Sequence, residues 1–428
     1  MSDYILTNGV TRSGRAVDIE IRDGRIDRLV DAGGGDPGDF DADQRFDADG
    51  RLVTPPFAEV HTHLDTALTA GMPRWNKSGT LEEGWPLWVE LRDDISKASI
   101  VRRAKKNVYW FAANGVTRIR THVDTSMSNH KVVDALVELR EEVADIVEIQ
   151  LVGFPLDSVV LNDDKLDLME EALDRGVDLV GGIPHKENTR EDGVEHVRSL
   201  VEIADRHDAP IDFHIDETDD PNSRYTEVLA NEALKRGIGS RTTASHTTAM
   251  HSYSNAYADK LIRLLAESGL SVITNPLANA VLQGRYDDYP RRRGHTRIEE
   301  LRAAGVPVGM GQDDVMDAFH HYGDGDPLKT AFVLLHFAHL DGYDDVETLW
   351  NLMLEGNAEV YGLDEYGLAE GNEGSLVVYD APDAFNALRT QPPRSLVLRD
   401  GVPIASAERS ATVFRSGDEE RVEFNHVS

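Results

Sequence analysis

Two histidines one residue apart, in His61-Thr62-His63-Leu64-Asp65, follow an apolar stretch that reads as a β-strand. Residues two apart on a strand point the same way, so both imidazoles can face one metal ion. With 16 histidines in 428 residues, packing and chance supply about one such pair as well. Three further groups add weight, because each stands at the end of another apolar run. His214 falls within Ile211–Ile215 with Glu217 three residues on, His246 follows Thr242–Ser245, and Asp313-Asp314 follow Val306–Met310. Three neutral imidazoles and one carboxylate, His61, His63, His214 and Asp313, would hold one divalent ion and leave a position for water. Such an ion brings the pKa of water toward neutrality. Glu217 suits a proton shuttle, and Asp313 is placed to take the proton from the attacking water. His246 is left to orient or polarise the nucleophile, or to stabilise developing charge. A second ion would need a bridging ligand near the fourth strand end. Lys186 stands there, but beyond Pro184 and outside the apolar run, so one ion is the expectation. His122 and His185 read as neighbours of the ligands. His336 and His339 read as packing or surface residues.

These groups need a framework that brings distant strand ends together. Apolar runs recur at Pro56–Val60, Val116–Val123, Val147–Phe154, Val177–Ile183, Ile211–Ile215, Thr242–Ser245, Val272–Thr274 and Val306–Met310. Amphipathic stretches lie between them, among them Lys131–Val143, Glu195–Arg206 and Asp259–Ser268. Eight strand–helix repeats predict an α/β protein of the (β/α)₈ barrel class, whose active sites form at the C-terminal strand ends. Short alternating strands divided by turn signals fill both ends of the chain. The expected organisation is a catalytic barrel over residues 56–364 and one small β-sandwich assembled from residues 1–55 and 365–428.

Composition narrows the chemistry further. There is no cysteine, so thiol nucleophiles, disulfides and every Cys-ligated metal site are excluded, including the zinc nucleobase deaminases that need a Pro-Cys-x-x-Cys pair. The formal charge of −33 repels phosphate backbones and makes nucleic acid a poor partner. The acids are spread along the chain and only ten of the 44 basic residues are Lys, which favours an anionic surface suited to high salt over a specific acidic docking face. No run of apolar residues is long enough to span a membrane. Residues 1–10 lack the pattern of a secretory signal, so the cytoplasm is the expected location.

Over nearly the whole chain the sequence resembles the amidohydrolase superfamily and, within it, the bacterial cytosine deaminase branch. The resemblance rests on Pro55-Pro-Phe-Ala-Glu-Val-His-Thr-His-Leu-Asp65, Trp75-Asn-Lys-Ser-Gly-Thr-Leu81, Arg120-Thr-His-Val-Asp124 and Ala244-Ser-His-Thr-Thr-Ala-Met-His-Ser252. Asn275-Pro276, Gln283-Gly-Arg285, Tyr289-Pro290 and Arg292-Arg-Gly294 add to it. It implies a distorted (β/α)₈ barrel, a β-sandwich from both termini, a homo-oligomer and one Fe(2+) or Zn(2+) ion. Carried over by match, His61, His63, His214 and Asp313 are ligands, Glu217 and His246 are catalytic, and Asp314 lines the pocket near the exocyclic amine. Two positions depart from the pattern. Leu156 replaces a Gln that would hold the pyrimidine carbonyl edge, and Phe319 replaces a pocket Trp. Gln283 or a backbone N–H is then the candidate donor to that edge. The implied activity is hydrolytic deamination of a small amino-pyrimidine, cytosine first. The alternatives are 5-methylcytosine, isocytosine, an aminotriazine and creatinine. Hydrolysis of another cyclic C–N bond is a rival; a non-catalytic metal scaffold would have no use for Glu217.

Overall fold

The computed structural model describes residues 3–33, 44–162, 164–415, 418–422 and 424. Of the two terminal segments expected to form the sandwich, residues 1–2, 34–43, 416–417, 423 and 425–428 lie outside the described residues. Inward-facing apolar residues shape β1 (Tyr4–Val10), β2 (Ala16–Arg22) and β3 (Arg25–Asp31), which join β4 (Gln44–Asp47) in a sheet of order β3-β2-β1-β4. After β5 (Val53–Thr54) come eight strands that pair in sequence order and all in parallel. They are β6 (Phe57–Thr62), β7 (Val116–Asp124), β8 (Glu148–Phe154), β9 (Leu179–Gly182), β10 (Ile211–Ile215), β11 (Thr242–His246), β12 (Ser271–Thr274) and β13 (Val308–Met310). A parallel bridge between Thr62 and Asp313 brings the last strand back to the first and closes the barrel.

The chain then returns to the β-rich region. β14 (Leu376–Tyr379), β15 (Arg394–Arg399) and β16 (Val402–Ala405) form a second sheet with β5 at its edge. Leu6, Ile19 and Ile21 of the first sheet share one core with Leu376, Val378 and Leu398 of the second, so both ends of the chain build one sandwich. β17 (Thr412–Arg415) and β18 (Asp418–Arg421) join neither sheet and pair with each other.

Two helices follow β6, Leu81–Asp94 and Lys97–Ala113. Gly84 and Pro86 weaken the periodicity of the first, but Thr80 caps it by accepting from the Glu83 N–H. The apolar runs starting at Val177 and Val306 are also longer than the strands. Both residues are buried, yet they precede the ladder, because burial and strand pairing are separate requirements.

Candidate active site

The barrel seam sets the first two groups of the site. Few ladder bonds join β6 to the end of β13, and Glu59 supplies what the ladder lacks. Its Oε1 accepts from the His61 N–H at 2.9 Å and the Gln312 N–H at 3.0 Å. The Asp313 N–H donates to the His61 carbonyl at 2.7 Å, and the Thr62 hydroxyl to the Asp313 carbonyl at 2.7 Å. Asp313 thus sits beside the two histidines although some 250 residues separate them. Asp313 and His246 both take left-handed backbone conformations, φ 63° and 70°, where the strand path breaks off. Non-glycine residues held in that region collect at functional sites.

Side chains converge on one point. His61 Nε2 and His63 Nε2 each lie 3.4 Å from Asp313 Oδ1. His63 Nε2 is 2.9 Å from His214 Nε2. Lone pairs of two neutral imidazoles that close repel unless a proton or a cation stands between them. His61 Nε2 and Asp313 Oδ2 are buried with no hydrogen-bond partner. Donor atoms of His61, His214, His246 and Asp313 all lie within 4.8 Å of one another, as do those of His63, Asp313 and Asp314. Buried, unpaired nitrogen donors around one carboxylate fit a divalent transition metal. His61 Nδ1 is held from behind, 3.0 Å from Ser245 Oγ and 3.2 Å from His122 Nε2, and Ser245 donates to Asp212 at 2.6 Å. His122 therefore does neighbour a candidate ligand.

Glu217 and His246 face each other across 3.4 Å. The Asn279 side-chain amide bridges them, donating to Glu217 Oε1 at 3.2 Å and to His246 Nδ1 at 3.0 Å. Burial first, and the Asp313 charge second, push the Glu217 carboxyl well above its ordinary range, which favours its protonated form. Asp314 is raised in the same way by burial and by Asp313. Burial also opposes ionisation of Asp313, but the surrounding histidines prevail and keep it a carboxylate. Burial holds His214 and His246 neutral.

Above this floor lies a cavity of about 430 Å³, its open mouth included, lined by His63, His214, Glu217, His246, Asp313 and Asp314 below. Leu81, Trp85, Phe154, Leu156, Ile183, Leu282 and Phe319 form the wall. Leu156 and Phe319, the two departures, both face the cavity. Gln283 directly follows the helix Pro276–Leu282, whose last residue stands in the wall; its Cβ and Cγ pack against Gly294, and its side-chain nitrogen is buried without a hydrogen-bond partner, a donor left unused beside the wall. Lys186 reaches no metal-ligand position, since its ammonium is bound to the Leu156 carbonyl. Glu59, Asn279 and the aromatic Trp85 escaped the sequence reading. A signal existed for Asn279, which stands four residues after Asn275 across one turn of helix, and both contact His246.

Residues 107–405, well over half of the chain, match the amidohydrolase family. The chain belongs to that family. A 5-methylcytosine deaminase from Klebsiella pneumoniae, solved with 5-fluorocytosine, is 39% identical and superposes with a TM-score of 0.91 over 96% of this chain and 99% of that one. A pterin deaminase of Rhizobium rhizogenes is 30% identical over 406 residues, covering 94% of this chain and 90% of the relative. An N-isopropylammelide isopropyl amidohydrolase of Pseudomonas sp. strain ADP is 27% identical over 374 residues, 85% of this chain and 88% of the relative. This amidohydrolase is thus a (β/α)₈ hydrolase acting on C–N bonds, with a His/Asp cluster able to hold a metal. No described helix of it is long and apolar enough to cross a membrane.

Proposed function

We propose that this amidohydrolase deaminates a free amino-pyrimidine, cytosine or its 5-methyl derivative, releasing ammonia. The observation that carries the reading is the convergence of buried Glu217, His246 and Asp313 beneath one small apolar-walled cavity, with the Glu217 carboxyl pushed up and that of Asp313 pushed down. Two carboxyl groups pushed in opposite directions divide the roles of acid and base. His61, His63, His214 and Asp313 would hold one Fe(2+) or Zn(2+) ion. Such an ion supplies Lewis acidity that draws the pKa of water toward neutrality.

The remaining chemistry belongs to the chain. Asp313 accepts a proton from the water that adds to the ring carbon bearing the amine. Glu217 donates its proton to the adjacent ring nitrogen, which neutralises charge building there. His246, held by Asn275 and Asn279, donates a hydrogen bond to the adding oxygen. The proton passed through Asp313 goes to the departing nitrogen, the C–N bond breaks, and the proton left on the added hydroxyl returns to Glu217, so that a ring carbonyl and ammonia result and the acid is restored. Asp314, its carboxyl pushed up by burial and by Asp313, faces the exocyclic amine.

The likeness to a 5-methylcytosine deaminase and the hydrocarbon that Phe154 and Leu156 add to the wall, able to receive a methyl group, support the second substrate. The same reading includes a cytoplasmic location and a homo-oligomer, the latter checked by light scattering. Ammonia release over cytosine, 5-methylcytosine, isocytosine, aminotriazines and creatinine, with Fe(II) or Zn(II) supplied, tests it. Turnover concentrated on the two cytosines supports the proposal, and none on any pyrimidine refutes it.

A further inference from the structure

Five segments build the apolar wall, and one side chain outside the cavity touches two of them. Lys186 follows the wall residue Ile183 in a single turn of 3₁₀-helix, Pro184–Lys186. Its ammonium donates to the carbonyl of Leu156, which stands two residues beyond β8. The same ammonium lies 5.2 Å from the centre of the Trp85 ring, on the helix Leu81–Asp94. An ammonium over an indole face and a charge-assisted hydrogen bond are both stronger where water is scarce.

The helix has other anchors, and those that reach the neighbouring barrel strand lie in its second half. Arg92 donates to Asp124 at 2.8 Å and to Asp157 at 3.0 Å, and the Trp88 indole donates to Asp124 at 3.0 Å. Those contacts fix the second half of the helix against β7. Trp85, one turn earlier, meets Lys186 instead. The Leu156 carbonyl is a backbone acceptor in a buried residue, and it loses its donor if the ammonium goes.

We infer that Lys186 is a positioning residue that ties Leu156, Ile183 and Trp85 into one wall and thereby sets the selectivity of the cavity. The inference rests on the reading of that cavity as the pyrimidine site. It gives a use to a residue whose position beside the fourth strand end suggested a metal bridge.

The test compares wild type with Lys186→Met and Lys186→Arg, all metal-loaded, on cytosine and 5-methylcytosine. Met keeps the stem and removes the cation; its KM should rise about five- to tenfold, the loss of roughly one charge-assisted contact. Metal content and kcat should stay near wild type, and the preference between the two pyrimidines should narrow. Arg restores a cation and a donor, so K186R should hold KM close to wild type. A wild-type KM in K186M, or a loss of metal with KM unchanged, overturns the inference. If K186M does not fold, Lys186→Leu replaces it, having neither charge nor donor; a wild-type KM there also overturns it. If wild type acts on neither pyrimidine, the functional reading fails, and hydrogen exchange decides the wall separately. Faster exchange over residues 81–88 and 154–158 in K186M or K186L supports the tie, and unchanged exchange refutes it.

Discussion

The floor and the wall of one cavity are built by different rules. Floor groups come from the ends of paired strands: His61 and His63 at β6, His214 in β10, His246 closing β11 and Asp313 just after β13. A closed ladder fixes their spacing, and the seam contacts of Glu59 refine it. The wall comes from connections. Leu81 and Trp85 ride on an inserted helix, Leu156 follows β8, Leu282 ends a short helix, and Phe319 stands in a loop against Gly84. Chemistry is thus held by the rigid part of the barrel, while the choice of substrate is left to segments that can change without disturbing it.

If that division holds, damage to the floor should abolish turnover and damage to the wall should shift preference. The largest effect should come from removing metal. A chelator should reduce ammonia release to background, and added Fe(II) or Zn(II) should restore it; full activity in metal-free protein would break the floor account. Glu217→Gln comes next. It keeps shape and removes the proton, so turnover should fall by ~10²-fold or more with metal content near wild type. Lost metal in that variant would make Glu217 a structural ligand instead. The same carboxyl predicts a pH limb. Burial raises its pKa, so the donating form is present below that pKa and is lost as pH climbs through it; the wild-type rate should fall on the alkaline side.

A wall substitution should do less, and selectively. Leu156→Gln adds one hydrogen-bonding side chain to the cavity, worth about three- to tenfold in kcat/KM for cytosine. For 5-methylcytosine the same change should be neutral or unfavourable. Equal gains on both substrates would show that position 156 does not discriminate. The smallest effect concerns neither region. With a charge of −33 spread over the chain, raising KCl from ~0.1 to ~2 M should lift the melting temperature while leaving the ratio between substrates alone. A flat melting profile would revive the specific acidic docking face.

The same division explains what was readable beforehand. The floor was legible because a barrel strand announces itself by an apolar run, and a ligand-type residue at its end is conspicuous. His61, His63, His214, His246, Asp313 and Glu217 all follow that pattern. Glu59 was not, since it lies inside a run and acts on backbone N–H groups, one of them 253 residues away. The helix carrying Trp85 was hidden by Gly84 and Pro86, which interrupt the period that marks helices. Gln283 stands between the two cases: its residue type marks a donor and its side-chain nitrogen is buried without a partner, while the helix end beside it brings Leu282 into the wall. Loop-borne side chains take their direction from tertiary packing, and neither spacing nor residue type reveals it.

The most direct measurement follows oxygen and nitrogen together. Metal-loaded wild type is allowed to turn over cytosine and 5-methylcytosine in ¹⁸O-labelled water, with product mass and ammonia measured side by side. The account predicts one labelled oxygen in the ring product for each ammonia released, and neither from Glu217→Gln above a trace. Ammonia without label in the ring, or undiminished labelling by the Glu217→Gln variant, would contradict it.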